Sequence, residues 1–381
     1  MSIPFLQHSI QPTNSRAEYE EFNTLDFVVT AEGRRVMGNS FRLVGNLRVL
    51  ENTADPTTLV DASKDIALDG SIGIHSVIEN IQTSITGAGG VVENLGGGYA
   101  RYVGMVADTT TCENDSMNSE NVAELRNPVS NQMKQILHGE ISGWNTTTLN
   151  DPCSFSMKPS FVLNATSSAD GSGDLSMSYQ KTGPIRVQFT LARNFACLFG
   201  KDVSSSTGYK LSNVRLEFMS IPENGANTKT AHRVKYHIRQ SVLSSFTNVS
   251  AKIPAICNAV SCSFKKQSEE NQAEYNHNER ETIPNLSNLQ FLFNNNTNEL
   301  VQYNITSRPE VLKRYLQSFM GADKNRVSLK KLKGNSGYGI GLDFQEYVSL
   351  ANQTFNVQLS SGVTSASPYS AHLYFHSLVE L

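Results

Sequence analysis

The 381-residue sequence has little charge and few cysteines. Asp, Glu, Lys and Arg make up 18% of it, and the formal net charge is −3. Phosphate binding requires a basic stripe, so this composition argues against sequence-specific nucleic-acid binding. The five cysteines are irregularly spaced and contain no Cys-x-x-Cys pair. No zinc or redox site is therefore expected, and a reducing, intracellular place of synthesis is favoured.

Long apolar runs are also missing. No window approaches the roughly 18 apolar residues of a membrane span, and the N-terminal residues lack the basic and apolar regions of a signal peptide. The apolar residues amount to 39% of the chain. A composition rich in Asn, Ser and Thr is typical of short strands joined by polar turns.

In several segments apolar and polar residues alternate with a period of two, which predicts half-buried strands. In Ile185–Leu191 every second side chain is apolar, and the intervening ones are Arg, Gln and Thr. The same pattern occurs around Phe41–Val49, Val214–Phe218 and Phe355–Leu359, and near the C-terminus at Leu373, Phe375 and Val379. Many short strands separated by glycine-containing turns favour an all-β sandwich over an α/β fold.

Few helices are expected. Ser307–Glu310 has the pattern of a capping box, which predicts a helix from Val311 to Met320 with one apolar stripe. Pro128 is predicted to open a second helix that ends before Gly139, and a short acidic helix is predicted near residues 15–22.

The order of these elements repeats along the chain. In each half a helix precedes three strands, which indicates a duplicated β-sandwich. The predicted domains are an N-terminal arm with a short helix (1–26), a first sandwich (27–226) and a second sandwich (227–381). The join is placed in the polar stretch Glu223–Ala231.

Two tandem sandwiches with inserted helices resemble the double jelly-roll major capsid proteins of tailless icosahedral bacteriophages and related viruses. In the first half, the stretches similar to that family are Gly70–Glu79, Lys158–Leu163, Gly183–Leu191 and Tyr209–Leu216. In the second half they are Ile340–Phe344 and His372–Leu378. The resemblance covers most of the chain from about Phe27 onward, through loose patterns rather than invariant motifs.

The resemblance implies an all-β fold of two tandem jelly-roll β-sandwiches with a few short inserted helices. It further implies a homotrimer with six jelly rolls, a pseudo-hexameric capsomer that tiles an icosahedral shell. The expected location is the virion, with synthesis in the host cytoplasm. The expected partners are copies of the chain itself, penton and minor capsid proteins, and an internal lipid membrane in some relatives. No enzymatic activity is implied.

Other motifs in the sequence do not indicate a phosphate-binding or metal-binding site. The glycine-rich Gly87–Gly98 lacks the Gly-Lys-Ser/Thr ending of a P-loop and predicts a hairpin turn. His372 and His376 would lie about 13 Å apart on a strand, too far for one metal ion. No catalytic, cofactor-binding or metal-binding residue is therefore assigned.

Several features leave alternatives open. Asp65 with Asp69, and Glu113 with Asp115, offer calcium ligands at subunit interfaces, although such residues are more often solvated. Trp144 is equally compatible with a subunit contact and with a core position. Residues 109–120 and 265–281 are polar segments expected to form exposed loops.

Two other functions remain as alternatives to a capsid subunit. One is a β-rich viral receptor-binding or lectin-like module, for which the chain offers no fibrous repeat. The other is a β-sandwich hydrolase, since the members of a Ser/His/Asp triad need not be close in sequence. No Gly-x-Ser-x-Gly motif supports the hydrolase.

Overall fold

A computed structural model shows how the predicted strands are arranged. It describes residues 5–55, 60, 64–110, 119–126, 153–226, 229–252, 256–293, 301–303, 308–319, 339–349 and 354–381. The described chain is mostly β-structure, with twenty strands and five α-helices.

In the described ranges of the first half there are twelve strands. They are β1 (Leu6–Ile10), β2 (Glu18–Tyr19), β3 (Thr24–Val29), β4 (Arg34–Met37), β5 (Arg42–Leu50), β6 (Ile78–Ile85), β7 (Gly90–Asn94), β8 (Cys153–Met157), β9 (Thr166–Ser168), β10 (Ser176–Ser178), β11 (Ile185–Leu191) and β12 (Gly208–Pro222). The described helices of this half are α1 (Tyr99–Thr110), α2 (Ser119–Ala123), α3 (Tyr179–Thr182) and α4 (Asn194–Cys197).

The described residues of the second half form eight strands and one α-helix. The strands are β13 (Thr230–Val242), β14 (Phe246–Lys252), β15 (Ile256–Lys266), β16 (Asn288–Phe293), β17 (Val301–Tyr303), β18 (Ile340–Ser349), β19 (Thr354–Ser360) and β20 (Tyr369–Glu380). The helix α5 (Arg308–Gln317) lies between β17 and β18. Four short 3-10 turns complete the described elements: Gly73–Val77, Thr86–Ala88, Val162–Asn164 and Gln267–Glu269.

Both halves have the same strand order. In the second half one sheet runs β13-β20-β15-β18 and the other β14-β19-β16-β17. If the strands of this half are counted one to eight, these orders are 1-8-3-6 and 2-7-4-5. In the first half, β1 pairs with β12, which pairs with β5 and then β8, and the opposing sheet runs β3-β11-β6-β7. When the additional strands β2, β4, β9 and β10 are left out and the other eight strands are counted one to eight, the two orders are identical, as expected for two jelly rolls. The predicted duplication is thereby confirmed at the level of topology.

Alternating side chains form the core of each jelly roll. In β11 the residues Ile185, Val187, Phe189 and Leu191 are fully buried, whereas Arg186 faces solvent. Phe41 and Leu43 at β5, and Leu216 and Phe218 on β12, contribute to the same apolar cluster. Phe355, Val357 and Leu359 on β19 belong to a second cluster that fills the second jelly roll. The strands predicted from period-two alternation are confirmed.

The predicted acidic helix near residues 15–22 is wrong. Residues Glu18–Tyr19 form a strand that pairs with β12, and the Tyr19 side chain is buried in the first core. Glu18 accepts a hydrogen bond from Lys210 Nζ at 2.8 Å, so its charge is balanced across the sheet. The preceding strand β1 pairs with β12 over Leu6–Ile10. The N-terminal segment thus supplies the first strand of the first jelly roll.

The predicted helix after Ser307 is confirmed over its described length. Helix α5 begins at Arg308, and Val311, Leu312 and Tyr315 form its buried stripe. The predicted helix from Pro128 to Gly139 and the residue Trp144 lie outside the described residues. The last strand of the first jelly roll ends at Pro222, and the first strand of the second begins at Thr230. The domain limits 27–226 and 227–381 remain predictions.

Candidate functional site: the junction between the two jelly rolls

The two jelly rolls meet at helix α1 and strands β13 and β20. A single parallel bridge pairs Asn94, at the end of β7, with Tyr236 of β13. Helix α1 follows directly and lies against the outer face of β20, where Tyr374 donates a hydrogen bond to the Gly98 carbonyl at 2.8 Å. The Tyr102 ring packs against the rings of Tyr374 and His376 at centroid distances of 5.3 and 5.9 Å. An element of the first jelly roll therefore forms part of the core of the second.

A buried ion cluster joins the same elements. Arg280, from the segment between β15 and β16, donates to both carboxylate oxygens of Asp108 on α1 at 2.7 and 2.8 Å. It also donates to Asp69 at 3.2 Å, and all three side chains are at most 6% exposed. Burial opposes the charge of Arg280, but the nearby Asp108 and Asp69 outweigh it and raise the pKa of the guanidinium. Burial would by itself raise the pKa of Asp69, yet Arg280 and hydrogen bonds from Ser71 and Asn276 lower it.

Residues 265–281 are exposed in part, as expected for a loop, but several of their charged side chains are buried. Lys265 is fully buried and donates to Glu269 and Glu281 at 2.9 and 2.7 Å, so the charges of this segment pair with one another. Its far end reaches the first jelly roll, where Arg101 of α1 donates to the carbonyl oxygens of His277 and Glu279 at 2.7 and 2.9 Å. The segment connects the two jelly rolls.

Gly104 on α1 makes room for Arg280. A Cβ atom at this position would lie 2.3 Å from Arg280 Nη1. Replacing glycine by alanine in a helix normally stabilises it by about 1 kcal/mol. We expect the opposite sign for Gly104→Ala: a lower urea midpoint of unfolding, because the guanidinium must move away from Asp108. Lys313→Ala on the exposed side of α5 is the control, and an equal or higher midpoint for Gly104→Ala would contradict the tight packing.

Three histidines lie under α1 on the same sheet. His237 of β13 stacks on His372 of β20 at 5.3 Å, and their Nε2 and Nδ1 atoms are 3.1 Å apart. His372 Nε2 lies 3.5 Å from Glu270. His376 contacts Ser261 Oγ at 2.9 Å. Burial lowers the pKa of His237 to about 4 and that of His376 to about 3, and it also lowers the pKa of His372. These rings are neutral near pH 7 and have a structural role.

The remaining sequence candidates also have structural roles. The glycine-rich stretch forms the β6–β7 hairpin and the start of α1, which confirms the predicted turn. The Asp69 carboxylate is occupied by Arg280, Ser71 and Asn276, and Asp65 accepts a hydrogen bond from the Lys201 backbone at 3.3 Å. Glu113 and Asp115 lie outside the described residues. Within the described ranges no three His, Cys, Asp or Glu side chains are placed to hold a metal ion.

One buried group in the first jelly roll has the residue types of an acid–base relay. His75 contacts Tyr99 Oη at 2.7 Å through Nδ1 and Glu124 at 3.2 Å through Nε2. The Glu124 carboxylate also binds Arg126 at 2.8 Å, and the pKa of Glu124 is about 2 because contacts with His75 and Arg126 outweigh its burial. Tyr99 accepts from the Ser160 backbone. The group is enclosed and links α1 to α2, which is a packing role.

Exposed apolar side chains are scattered over several surfaces of the described chain. The larger ones are Phe5, Leu6, Phe22, Val28, Val91, Val122, Met219, Leu243, Phe246, Ile256 and Tyr275. Apolar side chains scattered singly over a surface are normal and do not by themselves mark a binding site. None of the described helices is long and apolar enough to span a membrane.

The chain is similar in fold to solved structures of viral coat proteins. The chain aligns over 100% of its length with 90% of the Faustovirus major capsid protein, at a TM-score of 0.57 and 9% identity. It aligns equally fully with 95% of a chain from the capsid of the virus PBCV-1 (TM-score 0.55, 9% identity) and with 89% of the mavirus major capsid protein (0.54, 7%). No known family profile and no curated protein matches the sequence. The strand order and these similarities define a double jelly-roll protein.

Proposed function

We propose that the chain is a major capsid protein, which forms homotrimeric, pseudo-hexameric capsomers that tile an icosahedral shell. The observation that carries this proposal is the repeated jelly-roll order, with both jelly rolls fixed to each other by α1 and the Arg280 cluster. A coat subunit needs such a fixed pair, because a lattice forms only when each subunit presents its contact surfaces at constant angles. The full-length similarity to three viral coat proteins supports the same function.

The proposal also covers partners and location. The protein would reside in the virion after synthesis in the host cytoplasm and contact penton and minor capsid proteins, with an internal membrane beneath the shell in a virus that has one. Acting as a structural protein, it needs no catalytic residue, cofactor or metal. The histidines and carboxylates described above are used in packing, which favours this function over a hydrolase.

Light scattering on the purified protein tests the proposal. We expect a mass of three chains, about three times 41.9 kDa, that stays constant on dilution. A broad serine-hydrolase probe is expected to leave the protein unlabelled. A monodisperse monomer would contradict the capsid function, and specific binding by a monomer on a glycan array would favour the receptor-binding alternative.

A further inference from the structure

The connection between β12 and β13 contains an Asn-Gly pair, Asn224-Gly225, which occurs nowhere else in the sequence. Both residues are exposed, and the φ angle of Gly225 is 68°. Glycine adopts this conformation without strain, and it has no side chain to shield its main-chain nitrogen. In deamidation the nitrogen that follows an asparagine attacks the asparagine side chain. The turn between the two jelly rolls therefore holds an accessible nucleophile beside a side-chain amide.

The turn also places a base beside this nucleophile. The N–H of Gly225 donates to Glu223 Oε1 at 3.3 Å. Burial opposes the ionisation of Glu223, but hydrogen bonds from Ser178 and Arg35 outweigh it and lower the pKa of the carboxyl. Glu223 is therefore a carboxylate at neutral pH, and it lies where the amide proton leaves during attack.

The carbonyl group under attack is held in the same turn. Asn224 Oδ1 accepts a hydrogen bond from the Ala226 backbone N–H at 3.0 Å, which is the pattern of an Asx turn. This donor stabilises the negative charge that develops on Oδ1 when Cγ is attacked. Nucleophile, base and carbonyl are thus brought together before the reaction, which lowers its entropic cost.

Arg35 fixes the turn from inside the first jelly roll. Its side chain is 1% exposed and donates to the hydroxyl and carbonyl oxygens of Ser176 at 2.7 and 2.9 Å. Nη1 donates to Glu223 Oε1 at 3.2 Å and to the Ala226 carbonyl at 2.9 Å. The residues on both sides of the Asn-Gly pair are consequently bound to one buried group, which keeps the turn in a single geometry.

We propose that Asn224 is a site of spontaneous deamidation in the folded protein, with Glu223 as the base. The nitrogen of Gly225 attacks Asn224 Cγ, and its proton passes to Glu223. The bond between Cγ and the side-chain nitrogen then breaks, and ammonia leaves with that proton, which gives a cyclic succinimide. Solvent water opens the ring at either carbonyl and yields aspartate or isoaspartate. Aspartate adds a carboxylate to the turn, whereas isoaspartate inserts a methylene into the main chain between the jelly rolls. The reaction is independent of the proposed function.

Peptide mapping by mass spectrometry tests the proposal. The protein is incubated at pH 7 and 37 °C, both native and unfolded in guanidinium chloride, and the tryptic peptide Leu216–Lys229 is followed over time. The unfolded protein keeps the sequence but loses the turn. We expect exchange of the side-chain NH2 for OH at Asn224 to be several-fold faster in the native protein, with both isomeric products present. An equal or slower rate in the native protein would overturn the proposal.

Two variants test the role of the base. Glu223→Gln keeps an acceptor for the Gly225 N–H but is not basic, so conversion of Asn224 in the native protein is expected to slow by at least about tenfold. Glu217→Gln is the matched control, because Glu217 lies in the same peptide and pairs with Arg215 instead of the turn. It is expected to convert at the wild-type rate. Circular dichroism shows that both variants are folded. A wild-type rate in native Glu223→Gln, or an equal slowing in its unfolded form, would exclude Glu223 as the base.

Discussion

Replacing Arg280 by methionine is expected to lower the free energy of unfolding by about 3–5 kcal/mol. The side chain carries the positive charge between two buried carboxylates, Asp69 and Asp108, which belong to the first jelly roll. Without it, both carboxylates remain buried without a cation, which is far less favourable than removal of the whole cluster. Urea unfolding at pH 7, followed by circular dichroism, measures the change.

Lys266→Met provides the matched control. Lys266 is a partly exposed lysine of the same segment, 3.7 Å from Glu269, and exposed pairs of this kind contribute about 0–1 kcal/mol. We expect a change of that size for the control. A loss below about 1 kcal/mol for Arg280→Met would show that the cluster does not hold the two jelly rolls together. Separate unfolding transitions for the two jelly rolls in the variant would be consistent with a broken junction.

Acidification is expected to destabilise the fold between about pH 6.5 and pH 3. A histidine in the unfolded chain titrates near pH 6.5, whereas the pKa values of His237 and His376 in the folded protein are about 4 and about 3. In that interval the unfolded state binds protons that the folded state cannot, so the free energy of unfolding falls as the pH decreases. Since one pKa unit corresponds to about 1.36 kcal/mol, each ring contributes roughly 3–5 kcal/mol at the acid end.

The surroundings of His376 explain the size of this effect. Burial lowers its pKa most, and the neighbouring Lys235 and Arg233 lower it further. Glu93 acts in the opposite direction, because burial raises its pKa and the folded state takes up its proton more readily. Burial raises the pKa of Glu281 as well, but the histidines together with carboxyls of lowered pKa, such as Asp69 and Glu124, outnumber these two groups, so the net effect of acid remains a loss.

His376→Gln tests the contribution directly. Glutamine retains a polar contact with Ser261 but cannot titrate, so the variant should lose less stability than the wild-type protein between pH 7 and pH 4. His8→Gln is the control, since His8 is only half-buried beside Phe218. Urea unfolding at a series of pH values gives the slope of the free energy of unfolding against pH for each protein. Identical slopes for His376→Gln and the wild-type protein would show that this ring does not govern the acid response.

The fold could be predicted from the sequence wherever one face of a strand is solvated. Strand β11 is the clearest case, because its apolar and polar residues alternate without exception and its observed bounds match the predicted Ile185–Leu191. The doubled topology also followed, since the order of elements repeats. Strand β20 could be predicted only in part. Its apolar side chains indicate the face that packs in the core, but nothing in the local sequence indicates that α1 buries the opposite face.

Long-range charge pairing explains what the sequence did not reveal. The sequence predicts that Glu18 belongs to an acidic helix, because its partner Lys210 is distant in the sequence and the pairing of their charges across the sheet has no local pattern. The many charged and polar residues of segment 265–281 predict a solvated loop, because the sequence does not show that several of these charges form ion pairs. Arg280 meets Asp69 and Asp108, which are 211 and 172 residues away. Only the topology of two jelly rolls in contact places these groups together, so the junction had no recognisable motif.

The central claim is that this chain assembles through two equivalent jelly rolls held in a fixed arrangement. Electron microscopy of the purified protein, taken from the peak used for light scattering, tests it most directly. We predict particles with a hexagonal outline and six similar densities, two from each of three chains. Single particles with only two densities and no threefold symmetry would contradict the account.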